Sequence, residues 1–334
     1  MRDRALPGGA MSGGGHHHPG LRATLAIVAA ADLVSFYVFL AAARAEAQAQ
    51  GLAIAGLSDL LSRPPLTALI VLLGSAAAYR FARAPGRLAA GVATLLALAL
   101  LSGVHAQLYG SPWRHLFFSG VCLGGWLLGL AVSRRRGTPD DESYARVGAI
   151  ALLGAAYGSS AISKLVFGGP SWLSGHPIQV IVVGQDGLVS DGLLSYYRWF
   201  AASTPAVAAF FALATVAFEG SGPLMLVGPR LRRLVAAGLL SMHGNIYLLT
   251  DILYWESMVL LVAFGLLSRE PAAVEDGWRG ASVPFGRRYV AAVALCVVVA
   301  GLGVAHQARR FTAAHDAAAP PRAVAAAPAA PPAT

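Results

Sequence analysis

The sequence predicts an all-α protein, a polytopic bundle of about nine transmembrane helices with a long structured outer loop. The 334 residues are 56% hydrophobic and only 12% charged, and their mean hydropathy is +0.61. Soluble domains carry roughly 25% charged residues, so too few polar side chains remain here to cover a soluble surface. Several apolar runs reach the ~20 residues that cross a bilayer core, and clusters of arginine separate them.

Composition divides the chain into three parts. Residues 1–20 are rich in Gly, Pro and His and predict a disordered cytoplasmic leader. Residues 21–306 form the predicted membrane domain, and residues 307–334 form an Ala/Pro-rich tail predicted to be disordered. The first apolar run is longer than the ~7–15 residues of a signal-peptide core, so we expect it to be retained as a span.

Nine apolar segments of the membrane domain are the predicted spans. They lie at residues 23–43, 65–80, 88–108, 115–133, 147–167, 205–228, 234–250, 252–267 and 289–305. The seventh and eighth form one apolar block that is too long for a single upright span, yet each half is short. We divide this block near Asp251, although the apolar pattern alone allows one span or two.

The distribution of arginine favours nine spans and gives their orientation. With the N-terminus inside, 17 of the 24 arginines fall in inside segments and 7 in outside segments. Cytoplasmic segments of membrane proteins carry such an excess. Merging the seventh and eighth spans would move the arginines of residues 269–288 outside and those of the tail inside, which reduces the asymmetry to 16 against 8. The sequence therefore predicts a multi-pass cell-membrane protein with a cytoplasmic N-terminus and an external C-terminus.

The basic charge does not indicate nucleic-acid binding. The formal net charge is +9, but the arginines lie in short clusters between apolar runs, as topology signals do. We predict membrane lipids as surroundings and no nucleic-acid partner. Metal-ligand spacings are missing as well, since Cys122 and Cys296 both lie inside apolar runs, and no metal cofactor is predicted.

The predicted outer loop, residues 168–204, connects the fifth and sixth spans. It is rich in Trp, Tyr, Gly and Ser. Aromatic side chains favour the membrane–water interface, so we expect the loop to lie on the outer leaflet or to dip into it. Two interpretations stay open: a lid over a site, or an anchoring belt without one.

The chain has one lysine, Lys164, near the outer end of the fifth span. An arginine does not release its proton in a protein, whereas a lysine held away from water can. Lys164 is therefore a candidate base. The alternative is an interfacial anchor, because lysines near helix ends often extend their amines to the membrane surface.

Other ionisable residues fall within the apolar runs, where such side chains usually face a bundle interior or a wet cavity. They are Asp32, His105, Glu219 and His243. On a continuous helix, His243, Tyr247 and Tyr254 would lie along one face. Gly154 and Gly158 have the spacing at which small residues let a second membrane helix approach closely.

A set of short motifs carries a family resemblance. Residues 157–175 read YGSSAISKLVFGGPSWLSG, a span ending in Ser-Lys-Leu and followed after a short gap by Trp and Gly. Next come Glu219 in the following span, an arginine cluster at residues 230–233, and a helix with His243 and Asn245. In this order and spacing the chain resembles the HTTM domain, the membrane region shared with the vitamin K-dependent gamma-carboxylases.

The resemblance extends over about residues 20–305 and is strongest from residue 157 to residue 267. It implies that Lys164 is the base toward reduced vitamin K, a naphthoquinol of the menaquinol type, at an outward pocket that opens to the membrane. It also implies a peptide or protein substrate, and it makes His243 and Asn245 polar partners of the quinone oxygens. The candidate catalytic residues are thus Lys164, Glu219 and His243, and the candidate cofactor-binding residues are Asn245, Tyr247, Trp172 and Tyr157.

Two departures from the carboxylases argue against protein carboxylation. A short Ala/Pro-rich stretch follows the last predicted span where the carboxylases carry a large soluble region, and Ser163 stands where the animal enzymes have a second lysine. Two alternatives therefore stay open. One is a non-enzymatic membrane partner or assembly protein with Lys164 as an anchor. The other is a DoxX-like redox accessory subunit, which would have fewer spans.

Overall fold

The computed structural model describes residues 19–50, 54, 56–83, 88–109, 118–136, 141–184 and 192–268. Every regular element within these ranges is helical, and they contain no strand. The predicted all-α class is therefore confirmed for this part of the chain. The predicted ninth span, the tail and the leader up to residue 18 lie outside the described residues.

The helices follow one another with short connections. They are α1 Pro19–Ala49, α2 Gly56–Leu61, α3 Pro64–Arg83, α4 Leu88–Tyr109, α5 Phe118–Arg136, α6 Asp141–Gly168, α7 Pro170–Leu173, α8 His176–Gly184, α9 Leu193–Ser203, α10 Pro205–Gly220, α11 Pro229–Thr250 and α12 Trp255–Leu260. A 3₁₀ turn, Gly222–Leu226, follows α10, and a π-helical segment, Leu261–Leu267, continues α12. Proline begins α10 and α11, where its missing N–H would have no helical partner.

Five helical stretches in the described part are long and apolar enough to cross a membrane. They are Gly20–Ala49, Pro64–Arg83, Leu88–Leu108, Glu142–Gly168 and Pro205–Leu226. They coincide with the first, second, third, fifth and sixth predicted spans. The fourth and seventh predicted spans are also helices, α5 and α11, but arginines at one end of each lower their mean hydropathy.

One end of the bundle is marked by polar contacts near the start of α1 and α6. Arg22 forms an ion pair with Glu142, and both side chains are 7% exposed. Ser268 accepts a hydrogen bond from Arg146 through its hydroxyl and one from Arg232 through its carbonyl. The orientation predicted from the arginine distribution places all five residues of these contacts on the cytoplasmic side.

The opposite end has its own cluster, formed by segments that are predicted to lie outside. Arg44 and Arg63 both pair with Asp59, and Ser58 bonds to Gln107. Hydrogen bonds from Arg63 and Arg44 hold the pKa of the Asp59 carboxyl below its usual value. The chain therefore alternates between the two ends in the described part, as a multi-span bundle requires.

The apolar block from residue 234 to residue 267 is broken at the predicted place. Asp251 takes a left-handed backbone conformation with φ of 57°, which is uncommon outside glycine and which Asp tolerates better than most residues. Residues 251–254 are not helical. Helix resumes with 6 α-helical and 7 π-helical residues, which at ~1.5 Å each extend about 20 Å. This second segment is shorter than a bilayer core of ~30 Å.

The segment predicted as the outer loop contains three helices, α7, α8 and α9. Val182 of α8 and Ala201 of α9 are buried against Leu249 of α11. Gln179 donates a hydrogen bond to the Ala202 carbonyl at 2.7 Å, which joins α8 to α9. The described part of this segment is thus packed on α11, and its place at the outer leaflet stays a prediction.

Helices α5 and α6 pack backbone against backbone. A Cβ atom at Gly125 would overlap the carbonyl of Gly148, and one at Gly129 would overlap that of Tyr144. Only glycine permits so close an approach. The first half of α6 is therefore held firmly by α5, and the second half extends toward the candidate site.

Candidate functional site

Lys164 and Glu219 form an ion pair between the final turns of α6 and α10. The Lys164 Nζ atom lies 2.7 Å from Oε1 and 2.5 Å from Oε2 of Glu219. It also donates to Ser160 Oγ at 2.7 Å. Ser160 precedes Lys164 by four positions, so both side chains lie on one face of α6. Two of the three predicted catalytic residues are therefore in direct contact.

Trp172 lies over the lysine amine. Gly169 has φ of 59°, in the left-handed region that glycine adopts at little cost, and this turns the chain between α6 and α7. The turn brings the Trp172 ring centroid to 5.4 Å from Lys164 Nζ. This distance allows a cation–π interaction with the ammonium form. The short gap between Lys164 and Trp172 in the sequence motif thus places the indole ring in contact with the amine.

The amine is shielded from its surroundings but not sealed off. The Lys164 side chain is 19% exposed and that of Glu219 is 9% exposed. Four neighbouring exposed residues of α6 are apolar, Ile162, Leu165, Val166 and Phe167, and Ser163 is an exposed polar residue among them. In a bilayer such a surface contacts lipid, so an apolar molecule dissolved in the membrane can approach the pair.

Close backbone packing positions Glu219 against α6. A Cβ atom at Gly154 would lie 2.6 Å from the Gly222 carbonyl oxygen, and one at Gly158 would lie 3.1 Å from Pro223 Cγ. The close approach predicted from the spacing of these two glycines is therefore confirmed. Glu219 stands one turn before the 3₁₀ segment, so this contact fixes its distance from Lys164.

His243 reaches the same face of α6 through Tyr157. The Tyr157 hydroxyl lies 2.7 Å from His243 Nε2, and both residues are buried. Tyr157 precedes Lys164 by seven positions, so the two share a helix face about 10 Å apart. Tyr254 stacks beside His243 at 5.1 Å. Tyr254 does not reach His243 along a continuous helix, because α11 ends at Thr250, as the division near Asp251 predicts, and Tyr254 belongs to the non-helical segment 251–254.

Asn245 and Tyr247 lie in a different setting, where α9 and the end of α11 meet. Tyr197 of α9 donates a hydrogen bond to Asn245 Oδ1 at 2.5 Å. Burial raises the pKa of the Tyr197 phenol, which keeps it protonated and donating. The Tyr247 carbonyl accepts the N–H of Asp251 at 2.7 Å. Asn245 therefore helps attach α9 to α11.

Two features were missed at the level of sequence. Ser160 could have been found from its spacing, because a hydroxyl four positions before a lysine on a helix can accept from the amine. Glu256 lies inside the eighth predicted span, and the criterion that selected Asp32 would also have selected it. Both Asp32 and Glu256 are fully buried.

Together the fold and the site define a class, an α-helical membrane protein with a shielded lysine–carboxylate pair at an apolar surface. No family model matches the chain, and no similar protein was found among the curated proteins or the solved structures. The resemblance to the HTTM domain therefore rests on the sequence motifs alone.

Proposed function

We propose that this protein is a membrane enzyme of the HTTM type, in which Lys164 is a base toward a lipid-soluble quinol. The observation that carries the proposal is the environment of the lysine amine. Its nitrogen has a carboxylate at 2.5 Å, a serine hydroxyl at 2.7 Å and an indole ring at 5.4 Å. The exposed surface of α6 around the amine is mostly apolar.

The contacts suit a base that must lose a proton before it acts. In a medium of low dielectric constant a charged pair is less stable than in water, so transfer of a proton from the ammonium to Glu219 becomes accessible. The neutral amine can then accept a proton from an acidic hydroxyl, and Glu219 becomes a carboxylate that pairs with the ammonium again once it has passed the first proton to solvent. Ser160 holds the amine in place. A bound naphthoquinol would supply that hydroxyl, and molecular oxygen would be the oxidant that takes up its electrons.

The residues around the amine fit such a ligand. Trp172 offers an aromatic face, and Leu165 and Phe167 offer apolar surface open to the membrane. The buried Tyr157–His243 pair lies deeper along the same face of α6. We propose that His243 orients Tyr157 and that Tyr157 bounds the ligand on its inner side. Asn245 and Tyr247 keep their predicted role in cofactor binding as part of this proposal.

We further propose nine spans, with the N-terminus in the cytoplasm and the C-terminus outside. The alternation of chain ends in the described part supports this arrangement. Lys164 follows Arg146 by 18 positions on α6, or about 27 Å along the helix axis, and so lies far from the Arg22–Glu142 end. The site would then open at the outer side of the cell membrane. A peptide or protein substrate at that side remains part of the proposal.

The decisive variant is Lys164→Arg. Arginine keeps the positive charge and can pair with Glu219, but it does not release a proton. We expect quinol consumption by the purified protein in nanodiscs to fall at least about 100-fold, the usual range for loss of a general base. The thermal midpoint should change little. Unchanged quinol consumption in Lys164→Arg would mean that the lysine is an anchor and would remove the catalytic proposal.

Ligand binding gives a test that does not depend on turnover. A short-chain naphthoquinone should bind the protein in nanodiscs and quench tryptophan fluorescence, and Trp172→Phe should remove most of the quenching. His243→Ala should weaken binding because Tyr157 loses its hydrogen-bond partner. Trp199→Phe is the matched control, since Trp199 lies on α9 and is exposed. Absence of binding to the unmodified protein would contradict the quinone proposal.

A further inference from the structure

A second polar cluster lies between α1, α5 and α12, and the quinol proposal does not use it. Asp32, Ser119 and Glu256 are each 0% exposed. The carboxyl groups of Asp32 and Glu256 lie within electrostatic reach of each other. Ser119 lies beside Asp32. Three helices that are distant in the chain thus bring two acids and a hydroxyl together in the core.

The oxygens of this cluster lack protein donors. Among the described residues, none of the four carboxyl oxygens of Asp32 and Glu256 has a hydrogen-bond partner, and neither does Ser119 Oγ. Buried polar groups are nearly always paired, and buried charges are paired or coordinate metals. Other carboxylates in the protein follow this rule, since Glu142 meets an arginine and Glu219 a lysine.

The Ser119 hydroxyl is an independent indication of a ligand. It is fully buried and lies beside the Asp32 carboxyl, but its oxygen has no hydrogen bond of normal geometry. A hydroxyl that could donate to a neighbouring carboxylate normally does so with good geometry. Carboxyl and hydroxyl oxygens that lie near one another without being satisfied are groups that a bound cation could coordinate together.

We propose that Asp32, Glu256 and Ser119 form a binding site for a hard metal cation, with Ca²⁺ as the best match. Carboxylate and hydroxyl oxygens favour hard cations. Two carboxylates are neutralised by one divalent ion, which a membrane interior requires. Mg²⁺ gives up its water reluctantly, so a dry site favours Ca²⁺.

The ligand count is at the lower limit for Ca²⁺. No group of three or more His, Cys, Asp or Glu side chains suited to a metal occurs in the described ranges, so hydroxyls must complete the set. Two bidentate carboxylates with the hydroxyls of Ser119 and Ser257 would supply about six oxygens, where Ca²⁺ takes roughly six to eight. Ser257 follows Glu256 directly and lies beside the Tyr157 phenol, and its Oγ also has no hydrogen bond of normal geometry.

The experiment compares thermal midpoints of the full chain in nanodiscs with a chelator and with added Ca²⁺. We expect Ca²⁺ to raise the midpoint by on the order of 5 °C at saturation. Asp32→Asn and Glu256→Gln should each abolish the rise. The matched control is Glu46→Gln, an exposed carboxyl on α1, which should keep the full rise. Binding of radioactive Ca²⁺ should fall at least about tenfold in the two core variants, because a charged ligand is lost.

The opposing explanation is that both carboxyls are protonated and need no ion. Asn and Gln have nearly the shape of protonated Asp and Glu, so that case predicts no response to Ca²⁺ and unchanged midpoints for both variants. This result, with Na⁺ also without effect, would overturn the proposal. A rise with Na⁺ alone that is lost in Asp32→Asn would keep the cation site and assign it to a monovalent ion.

Ser119→Ala covers the case in which the charge variants do not fold. It removes one neutral ligand and should lower the apparent Ca²⁺ affinity severalfold while the protein still folds, and an unchanged affinity would count against the site. Loss of naphthoquinone binding would not affect any of these outcomes, because Lys164 and Glu219 are not part of this cluster.

Discussion

The two ends of α6 each carry an ion pair, and the pairs differ in chemistry and in exposure. At the first end Glu142 meets Arg22, and both side chains are 7% exposed. At the last end Lys164 meets Glu219, and the lysine side chain is 19% exposed beside apolar surface. The closed pair uses a cation that keeps its proton, and the partly open pair uses the one cation of the chain that can release it.

This difference separates two uses of the same electrostatic attraction. A closed arginine–carboxylate pair connects α1 to α6 and has no access for a ligand, so its loss should appear in stability. The lysine–carboxylate pair faces a surface that lipids can reach, so its loss should appear in binding and turnover. Substitutions at each end of α6 test whether this division holds.

The largest effect is expected for Arg22→Met. The substitution removes the guanidinium that pairs with the buried Glu142 carboxylate, and breaking a buried pair on one side costs about 3 kcal/mol. Unfolding by denaturant in detergent would measure the loss in the free energy of unfolding. The control is Arg83→Met, an exposed arginine whose guanidinium lies 4.9 Å from the Tyr79 ring centroid, with an expected loss below about 1 kcal/mol. Equal losses in both variants would contradict the distinction between the two ends.

A smaller effect is expected for Gly154→Ala, which acts on the last end of α6. The added Cβ would lie 2.6 Å from the Gly222 carbonyl oxygen, so α6 and the 3₁₀ turn must separate. We expect a loss of about 2 kcal/mol and a weaker Lys164–Glu219 contact. Gly103→Ala is the control, because no atom lies within 4 Å of its added Cβ, and it should stabilise α4 by about 0.5–1 kcal/mol. A neutral Gly154→Ala would show that this packing does not position the site.

The smallest effect concerns the exposed pair of Asp59 with Arg63 and Arg44. Their hydrogen bonds hold the pKa of the Asp59 carboxyl below its usual 3.8, so the ionised form favours the folded state. The contribution is therefore present at neutral pH and is lost as the pH falls below 3.8 through the lowered pKa. Thermal midpoints of Asp59→Asn and the unmodified protein should differ slightly at pH 7 and converge in acid. A difference between the two thermal midpoints that grows as the pH falls would contradict this account, because the ionised carboxyl would then not favour the folded state.

The helical class and most helix positions could be predicted because a bilayer restricts what the backbone can do. Unpaired backbone groups are unfavourable in lipid, so long apolar runs must be helical. The break at Asp251 was predictable for a related reason, since the apolar block exceeds the length of one span. Lys164 and Glu219 could be named from the sequence as candidate catalytic residues, because the motif order places them on successive spans. Their direct contact could not be predicted.

The remaining features depend on which helices meet, and no local pattern encodes that. Asp32 and Glu256 are brought together by the packing of α1 against α12, which depends on side-chain shape along several helices. The resemblance to the HTTM domain assigned both His243 and Asn245 to the quinone oxygens, yet side chains two positions apart point in different directions on a helix. The structure gives them separate partners, Tyr197 and Tyr157.

The glycine contact between α5 and α6 has a consequence for how the protein is made. The two helices are neighbours in sequence, with only residues 137–140 between them, and Gly125 and Gly148 let their backbones touch. Neighbouring helices with such local contacts can associate as soon as both have entered the bilayer, before α10 has entered it. The lysine-bearing helix is then already supported when its glutamate partner emerges.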